Sequence, residues 1–286
     1  MNETFLNKIK EHFQEVYKDI FPQNTGQFER HFKDTIEPEM NQDLLQLVYQ
    51  VSKITKSSKI LDLGCGFGTF VFVCRKNGYE AYGVDVAEFE INFARKRIKT
   101  ELPDCSSDEV YQLCSVESLP FKNKNFDVVT LWNLLEHVPD YRRVLKEADR
   151  VLKPSGFLFL ISPNYLALRE EAHYHLLWFP LLPKRLGKLY LKIRKRDPSF
   201  LMNNIFYITK PGVLKWLKKN NYRVIIPGIE KIKNPDLCKS KFKAKVLKMA
   251  NLFKMGFLVK FALYLIYINP FGRGISISAR RNNLLK

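Results

Sequence analysis

The segment Asp62-Leu-Gly-Cys-Gly-Phe-Gly68 constrains the fold of this chain more than any other part of its sequence. It begins inside the apolar run Lys59–Leu63 and leads into the amphipathic run Thr69–Asn77, so a strand turns into a helix through three closely spaced glycines. Glycines at such a turn allow tight backbone conformations and let a ligand approach the main chain. We therefore expect a ligand-binding loop at the carboxyl end of a β-strand.

Three kinds of ligand can use such a loop: a dinucleotide, a nucleoside triphosphate and S-adenosylmethionine. A triphosphate-binding loop ends in Gly-Lys-Ser or Gly-Lys-Thr, and this loop does not. A dinucleotide-binding loop has its third glycine three positions after the second, where this chain has Thr69. Asp62 would also lie awkwardly beside a diphosphate, whereas an acid suits a cofactor that carries an ammonium group and no phosphate. The residues therefore favour S-adenosylmethionine.

Short apolar runs alternate with amphipathic runs after residue 58, which indicates βαβ units and a parallel sheet. The predicted fold is an α/β, doubly wound, mostly parallel seven-stranded sheet (Rossmann-like) with an N-terminal helical segment and two insertions. The predicted strands are Lys59–Leu63, Tyr79–Val86, Val110–Ser115, Phe126–Trp132, Phe157–Ser162, Tyr222–Ile226 and Ile275–Arg280. The predicted helices between and after them are Thr69–Asn77, Glu88–Thr100, Tyr141–Leu152 and Pro211–Asn220, and Lys153-Pro-Ser-Gly156 is a predicted turn.

The chain divides into four predicted parts. Residues 1–58 form a helical segment, 59–163 the cofactor-binding α/β core, 164–210 an insertion that covers the ligand edge of the sheet, and 211–286 the end of the core with a second insertion at 231–274. The first insertion is rich in aromatic and basic residues. Its aromatic side chains, Tyr165, Tyr174 and Trp178, are candidates either for the wall of an acceptor site or for a small core of the insertion itself.

Charge is distributed unevenly along the chain, which has a net charge of +18. Residues 172–286 contain 25 Lys and Arg but three acids, whereas the first 171 residues are close to neutral. Such asymmetry indicates an anionic partner for the second half: membrane lipid, nucleic acid or a phosphorylated substrate. A merely solvated basic surface is the alternative.

A basic amphipathic stretch, Lys239–Lys248, precedes the apolar run Met255–Ile268. That run is shorter than the roughly 20 residues of a membrane-spanning helix. The pattern is typical of a helix lying in the plane of a membrane surface, and equally of a long helix packed on the domain with its lysines in water.

Five cysteines without a C-x-x-C pair indicate reduced thiols in an intracellular protein. No N-terminal stretch combines a basic region, an apolar run and a cleavage site, so secretion is not expected. The predicted location is the cytoplasm, with peripheral attachment to the inner face of a membrane as the further expectation.

Five ordered motifs resemble those of class I S-adenosylmethionine-dependent methyltransferases of the small-molecule branch. The resemblance covers residues 59–163 and extends more weakly to the last two strands. The motifs are Ile60–Phe70, Gly83-Val-Asp85-Val-Ala, the pair Ser118-Leu-Pro-Phe121 and Asn125-Phe-Asp-Val-Val129, Trp132-Asn-Leu-Leu-Glu-His137-Val-Pro-Asp140, and Val151-Leu-Lys-Pro-Ser-Gly-Phe157. A single glycine loop is a weak signal, whereas five motifs in order are a specific one.

The resemblance implies a role for each matched position. Asp62 would accept a hydrogen bond from the amino group of the methionine moiety, Asp85 would bind the ribose and Val86 would flank the adenine. The other residues implied to bind the cofactor are Gly64, Cys65, Gly66, Gly68, Ser115, Val116, Trp132 and Asn133. The family often has an acid after strand three for the adenine amino group. This chain has Cys114-Ser-Val-Glu117 instead, so Ser115 or a backbone carbonyl would take that role.

Methyl transfer from a sulfonium requires mainly the alignment of nucleophile, methyl group and sulfur. A hydroxyl nucleophile also needs a base within hydrogen-bond reach. His137, expected just after strand four, is the candidate catalytic residue, with a structural role in the following turn as the alternative. His173 and His175 lack further ligands at a metal-site spacing, so surface or substrate-contact roles are expected and no metal is.

The predicted function is the transfer of a methyl group from S-adenosylmethionine to a small-molecule, sugar or lipid-linked acceptor at a membrane surface, with S-adenosylhomocysteine as product. Nucleic-acid methylation is less favoured: amino-methylating enzymes carry Asn/Asp-Pro-Pro-Tyr/Phe after strand four, where this chain has Asn-Leu-Leu-Glu. A non-catalytic module that binds the cofactor is the remaining alternative, and the intact Asp62, glycines and Asp85 disfavour it.

Overall fold

The structure, a computed structural model, describes residues 3–17, 26–225 and 269–282, with scattered positions between 245 and 265. Most of the predicted insertion 231–274 therefore lies outside the described residues. The predicted in-plane helix within it stays a prediction.

The described elements follow the predicted alternation closely. The helices are α1 (Glu3–Tyr17), α2 (Gly26–Ile36), α3 (Glu39–Ser52), α4 (Thr69–Lys76), α5 (Glu88–Glu101), α6 (Ser107–Val110), α7 (Tyr141–Val151), α8 (Lys184–Ile193), α9 (Ser199–Asn204) and α10 (Lys210–Lys219). The strands are β1 (Lys59–Leu63), β2 (Glu80–Asp85), β3 (Tyr111–Leu113), β4 (Phe126–Trp132), β5 (Leu152–Pro163), β6 (Arg169–Glu170), β7 (Leu177–Trp178), β8 (Tyr222–Ile225) and β9 (Gly274–Arg281).

Seven strands form one sheet in the order β3-β2-β1-β4-β5-β9-β8. The strands from β3 to β5 are parallel, and β9 runs antiparallel to both of its neighbours. The strand order reverses between β1 and β4, which places the ligand-binding crevice at their carboxyl ends. The predicted fold class is confirmed.

The central strands β1 and β4 are buried on both faces because helices cover both sides of the sheet. One face packs against α3, α4 and α5 around Val71 and Ile91, and the other packs against α7 and α10 around Leu145 and Val213. The mainly apolar sequences of these strands match this two-sided burial.

Strand β5 begins at Leu152, five residues before the predicted start, so the prediction of a turn over Lys153–Gly156 was wrong. Leu152 already pairs with Phe126 of β4, and the pairing then shifts register before Val128 pairs with Phe157. A register shift of this kind bends a strand without ending it. The Pro and Gly that resemble a turn in the sequence therefore lie in an irregular part of the strand.

The insertion 164–210 contains the β6–β7 hairpin followed by α8 and α9. Tyr165, Tyr174 and Trp178 are fully buried, so they form part of its core and do not line an open surface. The insertion contacts the loop after β4 through a hydrogen bond from Phe206 N to Glu136 O of 2.7 Å. It therefore lies against the ligand edge of the sheet.

Candidate functional site

The loop after β1 contains three glycines with positive φ: +68° at Gly64, +51° at Gly66 and +68° at Gly68. A side chain is strained at such angles. Neighbouring residues also approach closely, because a Cβ at Gly68 would lie 2.5 Å from a ring carbon of Tyr111. The loop therefore adopts a conformation that glycine favours, with little room for a side chain at Gly64 or Gly68.

The loop is joined to the end of β2 by its backbone. Gly64 N and Cys65 N both donate to Val84 O, at 2.9 and 3.0 Å, and Gly66 N donates to Oδ2 of Asp85 at 2.8 Å. Oδ1 of Asp85 accepts from Ala87 N at 3.0 Å. Asp85 therefore braces the glycine loop and α5 in addition to its predicted contact with a ribose.

Asp62 is a buried carboxyl group at the switch point between β1 and β4. Thr130 Oγ1 donates to its Oδ1 at 2.6 Å. Burial, opposed by the Thr130 hydrogen bond and assisted by the charge of Asp85, raises the pKa of Asp62 to about 8. Such a carboxyl group is a receptor for a cation, because an ammonium group beside it would stabilise the ionised form.

Glu90, in the first turn of α5, was not predicted as a site residue. Its Oε2 lies 3.0 Å from the position that a Cβ would occupy at Gly66, so its carboxyl group is next to the glycine loop. Burial, followed by the charge of Asp85, raises the pKa of Glu90 to about 7. The only signal in the sequence is an acid five residues after Asp85, which the helical periodicity of α5 does not single out.

The N-terminal helices cover the loop from outside, which the sequence did not predict. Phe67 of the loop packs against Phe13 of α1, with ring centroids 5.7 Å apart, and against Phe93 of α5 at 5.4 Å. Thr69 Oγ1 donates to Thr35 O at 2.7 Å, so the start of α4 is bonded to α2. The aromatic residue between two glycines is the signal that a neighbouring element packs there.

The residues predicted to surround the adenine lie at the ends of β2 and β3. Val86 follows β2 and is 68% exposed, so its side chain is available to a ligand. Val116 is buried. Ser115 is exposed at the surface, and its Oγ accepts from Glu117 N at 3.2 Å.

Trp132 and Asn133 occupy the end of β4 as predicted, but their side chains differ in environment. The Trp132 ring packs against Phe70 and Phe159, and its Nε1 is buried without a partner among the described residues. Asn133 is exposed and has a φ of 52°. The end of β4 therefore has a buried indole N–H that can still donate a hydrogen bond and an exposed asparagine in the left-handed backbone conformation.

His137 lies in a single turn of 3-10 helix, Leu135–His137, directly after β4. Its ring Nδ1 lies 2.9 Å from Asn204 O, so this nitrogen carries the hydrogen and Nε2 has the free lone pair. Burial, followed by the charge of His173, lowers the pKa of His137 to about 4. His137 is therefore an uncharged hydrogen-bond acceptor at neutral pH.

The turn that carries His137 packs directly on the cofactor loop. A Cβ at Gly64 would lie 2.6 Å from Cδ1 of Leu134. The neighbouring Glu136 is buried and accepts from Ser162 Oγ at 2.9 Å, which ties the turn to β5. Burial, opposed by that hydrogen bond, raises the pKa of Glu136 to about 7.

These residues fit S-adenosylmethionine. Asp62 is a buried acid whose ionised form an ammonium group would stabilise. It lies beside a glycine loop that has little room for a Cβ, and Asp85 lies at the tip of the adjacent strand. Within the described ranges, no group of three or more potential metal ligands lies together.

Comparison with known proteins agrees with this geometry. Residues 61–160 match the model of a family described as a methyltransferase domain. The chain is similar to a ubiquinone biosynthesis O-methyltransferase of Coxiella burnetii (strain Dugway 5J108-111), with 34% identity over 146 residues, 49% of this chain and 59% of that protein. It is also similar to a demethylmenaquinone methyltransferase of Staphylococcus saprophyticus, with 27% identity over 214 residues, 74% of this chain and 88% of that protein. The aligned region thus spans less than two thirds of the first of these relatives.

A similar fold occurs in phosphoethanolamine N-methyltransferase 2 of Haemonchus contortus, whose structure contains phosphomonomethylethanolamine and S-adenosylhomocysteine. The TM-score is 0.53 at 17% identity, and the match covers 97% of this chain and 59% of that one. This likeness supports the architecture alone. The family match over residues 61–160 confirms, for that stretch, the resemblance that the sequence motifs indicated.

Proposed function

We propose that this chain, a member of the class I S-adenosylmethionine-dependent methyltransferases through its domain at 61–160, transfers a methyl group to a hydroxyl of a small-molecule, sugar or lipid-linked acceptor at a membrane surface. The observation that carries the proposal is the Asp62–Gly68 loop with positive φ at all three glycines, braced by Asp85. Both aligned relatives bear names of methyltransferases of quinone biosynthesis.

The cofactor supplies an electrophilic methyl group and a neutral thioether leaving group. In our proposal Asp62 receives the ammonium group, the backbone of Gly64–Gly68 lies along the amino-acid moiety, and Asp85 binds the ribose. Val86, Ser115 and Val116 surround the adenine, with Cys65, Trp132 and Asn133 completing the cofactor site. Alignment in a site with little water then provides most of the rate.

His137 is the proposed catalytic side chain of the domain itself. It follows β4, its Nε2 lone pair is unprotonated, and its turn packs on Gly64 through Leu134. An uncharged imidazole at this place can accept a hydrogen bond from an acceptor hydroxyl and so orient the oxygen towards the methyl group.

Helix α8 supports the membrane part of the proposal. Its outer face exposes Leu186, Leu189 and Ile193, the last to 70%. These positions recur at helical spacing, and Arg185, Lys188 and Lys192 are exposed beside them. An exposed apolar stripe flanked by basic residues is the pattern of a helix that lies in an anionic membrane surface.

Further apolar side chains are exposed near the chain's end. Among the described positions between 245 and 265, Leu252, Phe257 and Phe261 are exposed. None of the described helices combines the length and apolar character of a membrane span. Surface attachment of the insertion 164–210 would bring the ligand edge of the sheet close to lipid-linked acceptors.

Two measurements test the proposed function. Calorimetry with S-adenosylhomocysteine should show binding to the wild type and much weaker binding to Asp85→Ala, with Asp127→Asn as the control at the opposite end of the sheet. Incubation with a cell extract and methyl-labelled S-adenosylmethionine should then label an acceptor that mass spectrometry identifies. Absence of cofactor binding, or transfer that Asp85→Ala leaves intact, would contradict the proposal.

A further inference from the structure

A buried carboxylate and a histidine form a pair inside the insertion 164–210. Glu171 is fully buried, and its Oε1 lies 3.1 Å from Nδ1 of His173, whose side chain is 15% exposed. Three other groups hold the same carboxylate: Tyr165 Oη donates at 2.9 Å, His173 N at 2.7 Å and Tyr174 N at 2.8 Å. A carboxylate bound this firmly is a fixed negative charge beside one imidazole.

The bonds determine the ionisation of Glu171. Burial would raise its pKa, but the hydrogen bond from the His173 ring, the charge of that ring and the two backbone donors outweigh burial and lower the pKa of Glu171 to about 2. An ionised carboxylate only accepts hydrogen bonds, so Nδ1 of His173 carries the hydrogen. Nε2 of His173 is then the ring nitrogen that can receive a proton.

The His173 ring lies against the catalytic turn of the methyltransferase domain. Its centroid is 5.1 Å from that of His137, with the rings nearly perpendicular, and Phe200 packs against both rings at 5.0 and 6.0 Å. The two histidines come from different parts of the chain. They meet because Asn204 O and Phe206 N of the insertion bond to the turn after β4.

Both imidazoles are bonded through Nδ1 and have an unprotonated Nε2, but they differ in how well their surroundings stabilise a positive charge on the ring. A protonated His137 would have only a carbonyl partner at Nδ1, and the neighbouring His173 would repel it. A protonated His173 would have the Glu171 carboxylate in direct contact. This arrangement matches the orientation of a catalytic histidine by a carboxylate, which stabilises the imidazolium that forms.

We propose that His173, oriented by Glu171, is a second catalytic residue: the general base that takes the proton of the acceptor hydroxyl. The inference rests on the proposed methyl transfer. As the acceptor oxygen bonds to the methyl carbon, the carbon–sulfur bond breaks with its electron pair on sulfur, and the hydroxyl proton moves to Nε2 of His173. Glu171 is a positioning residue, and His137 is the neutral group that contacts the acceptor.

Three titratable groups lie around the His173 ring: the Glu171 carboxylate, Glu136, whose pKa burial raises to about 7, and the neutral His137. The guanidinium of Arg169 acts on Glu136 and Tyr165. Of the three, Glu171 is the one bonded to the ring. Its replacement by an uncharged side chain removes the carboxylate that stabilises the imidazolium formed in this step, so the rate of transfer should decrease.

The test compares His173→Asn with His175→Asn. Asparagine can keep the hydrogen bond to Glu171 but cannot take a proton. His175 is the matched control, because its Nδ1 lies 2.8 Å from Glu170, whose side chain is largely exposed. Its φ of 53° is one that asparagine tolerates well. Label transfer from S-adenosylmethionine into a cell extract is measured across pH, together with S-adenosylhomocysteine affinity and melting temperature.

General-base catalysis contributes about 100- to 10,000-fold, so His173→Asn should lose at least about 100-fold in rate with unchanged S-adenosylhomocysteine affinity, whereas His175→Asn should stay at the wild-type rate. The remaining rate of His173→Asn should increase with pH as the acceptor ionises in solution. Glu171→Gln should be slower with unchanged S-adenosylhomocysteine affinity; if it does not fold, the His173 comparison decides alone.

The outcomes separate the two claims. Transfer by His173→Asn at the wild-type rate and with the wild-type pH profile would overturn the inference and leave the proposed function intact. A wild type that binds no S-adenosylhomocysteine, or transfers no label, would overturn the proposed function and the inference with it.

Discussion

The hydroxyl of Thr130 on β4 donates a 2.6 Å hydrogen bond to Oδ1 of Asp62 on β1, across the point where the strand order reverses. This bond joins the two central strands at their ligand ends. It also holds in place a carboxyl group whose pKa burial raises to about 8. The free protein therefore keeps, at neutral pH, a protonated acid that an ammonium-bearing cofactor would ionise.

Asp62 should make the free protein less stable as pH rises. The folded protein holds a proton on this acid up to about pH 8, whereas the unfolded chain releases it near the ordinary value of 3.8. The free energy of unfolding therefore decreases between these values and levels off above them. Asp62→Asn should show a flatter profile and a higher melting temperature at pH 8. An unchanged profile in thermal denaturation would contradict the assignment.

Glu90 should discriminate between the charged and neutral forms of the cofactor. Its pKa of about 7 means that it gains its negative charge between pH 6 and 8, and S-adenosylmethionine carries a sulfonium charge that S-adenosylhomocysteine lacks. The ratio of the two affinities should increase with pH in the wild type and become flat in Glu90→Gln. Asp62 affects both ligands equally, because both carry the ammonium group. The ratio of the two affinities, measured by calorimetry, therefore reports the effect of Glu90 alone.

Asp85→Asn should weaken cofactor binding. The carboxylate accepts from Gly66 N through one oxygen and from Ala87 N through the other, and an amide can accept through only one. Hydrogen bonds to charged groups contribute about 1.5–3 kcal/mol, which corresponds to roughly a 10- to 100-fold loss of S-adenosylhomocysteine affinity. The control is Asp127→Asn, which disturbs contacts with Lys59 and Lys153 and should retain the affinity.

Gly68→Ala should destabilise the fold more than Gly78→Ala. Both glycines have positive φ, at +68° and +77°, so both variants carry a backbone cost of about 1–2 kcal/mol. A Cβ at Gly68 would also lie 2.7 Å from Cβ of Ala94, whereas the nearest atom at Gly78 is 3.9 Å away. Overpacking adds roughly 1–3 kcal/mol. Equal unfolding free energies in denaturant titrations would refute the close packing of the loop.

Replacing the apolar stripe of α8 should reduce membrane binding. Leu186→Gln combined with Leu189→Gln removes two exposed leucines, each contributing about 1.5–3 kcal/mol if buried in lipid. Co-sedimentation with vesicles of phosphatidylcholine and phosphatidylglycerol should decrease, and purely neutral vesicles should bind less wild-type protein. Met40→Gln, an exposed apolar position on α3, is the control and should bind as the wild type does. Recovery with vesicles that does not exceed recovery without them would remove the membrane from the proposed function.

Most of the sheet was predictable because its strands have strong local signals. The bounds of β1 and β4 match the prediction residue for residue, since both are mainly apolar runs followed by a glycine or a polar residue. The start of β5 was missed because a register shift depends on pairing with Phe126, which no local pattern reveals. Local periodicity therefore specified which segments are strands but not how they pair.

The cofactor loop was equally predictable, because its chemistry is contained in consecutive residues. The contacts that were missed are long-range: Glu90 beside Gly66, Phe13 on Phe67, and the ring of His173 on that of His137. Each depends on how separate elements pack. No local pattern in the sequence predicted that Glu171, an acid within the insertion, would be fully buried.

The family match ends at residue 160, before Glu171 and His173, although it includes every residue assigned to the cofactor. In the proposed function, donor recognition and proton removal are therefore encoded in consecutive but separate stretches, which meet where the insertion docks on the turn after β4. On that proposal, a graft that exchanged residues 164–210 for another sequence should change the methyl acceptor and keep S-adenosylmethionine as the donor. Engineering of specificity would accordingly begin in that stretch.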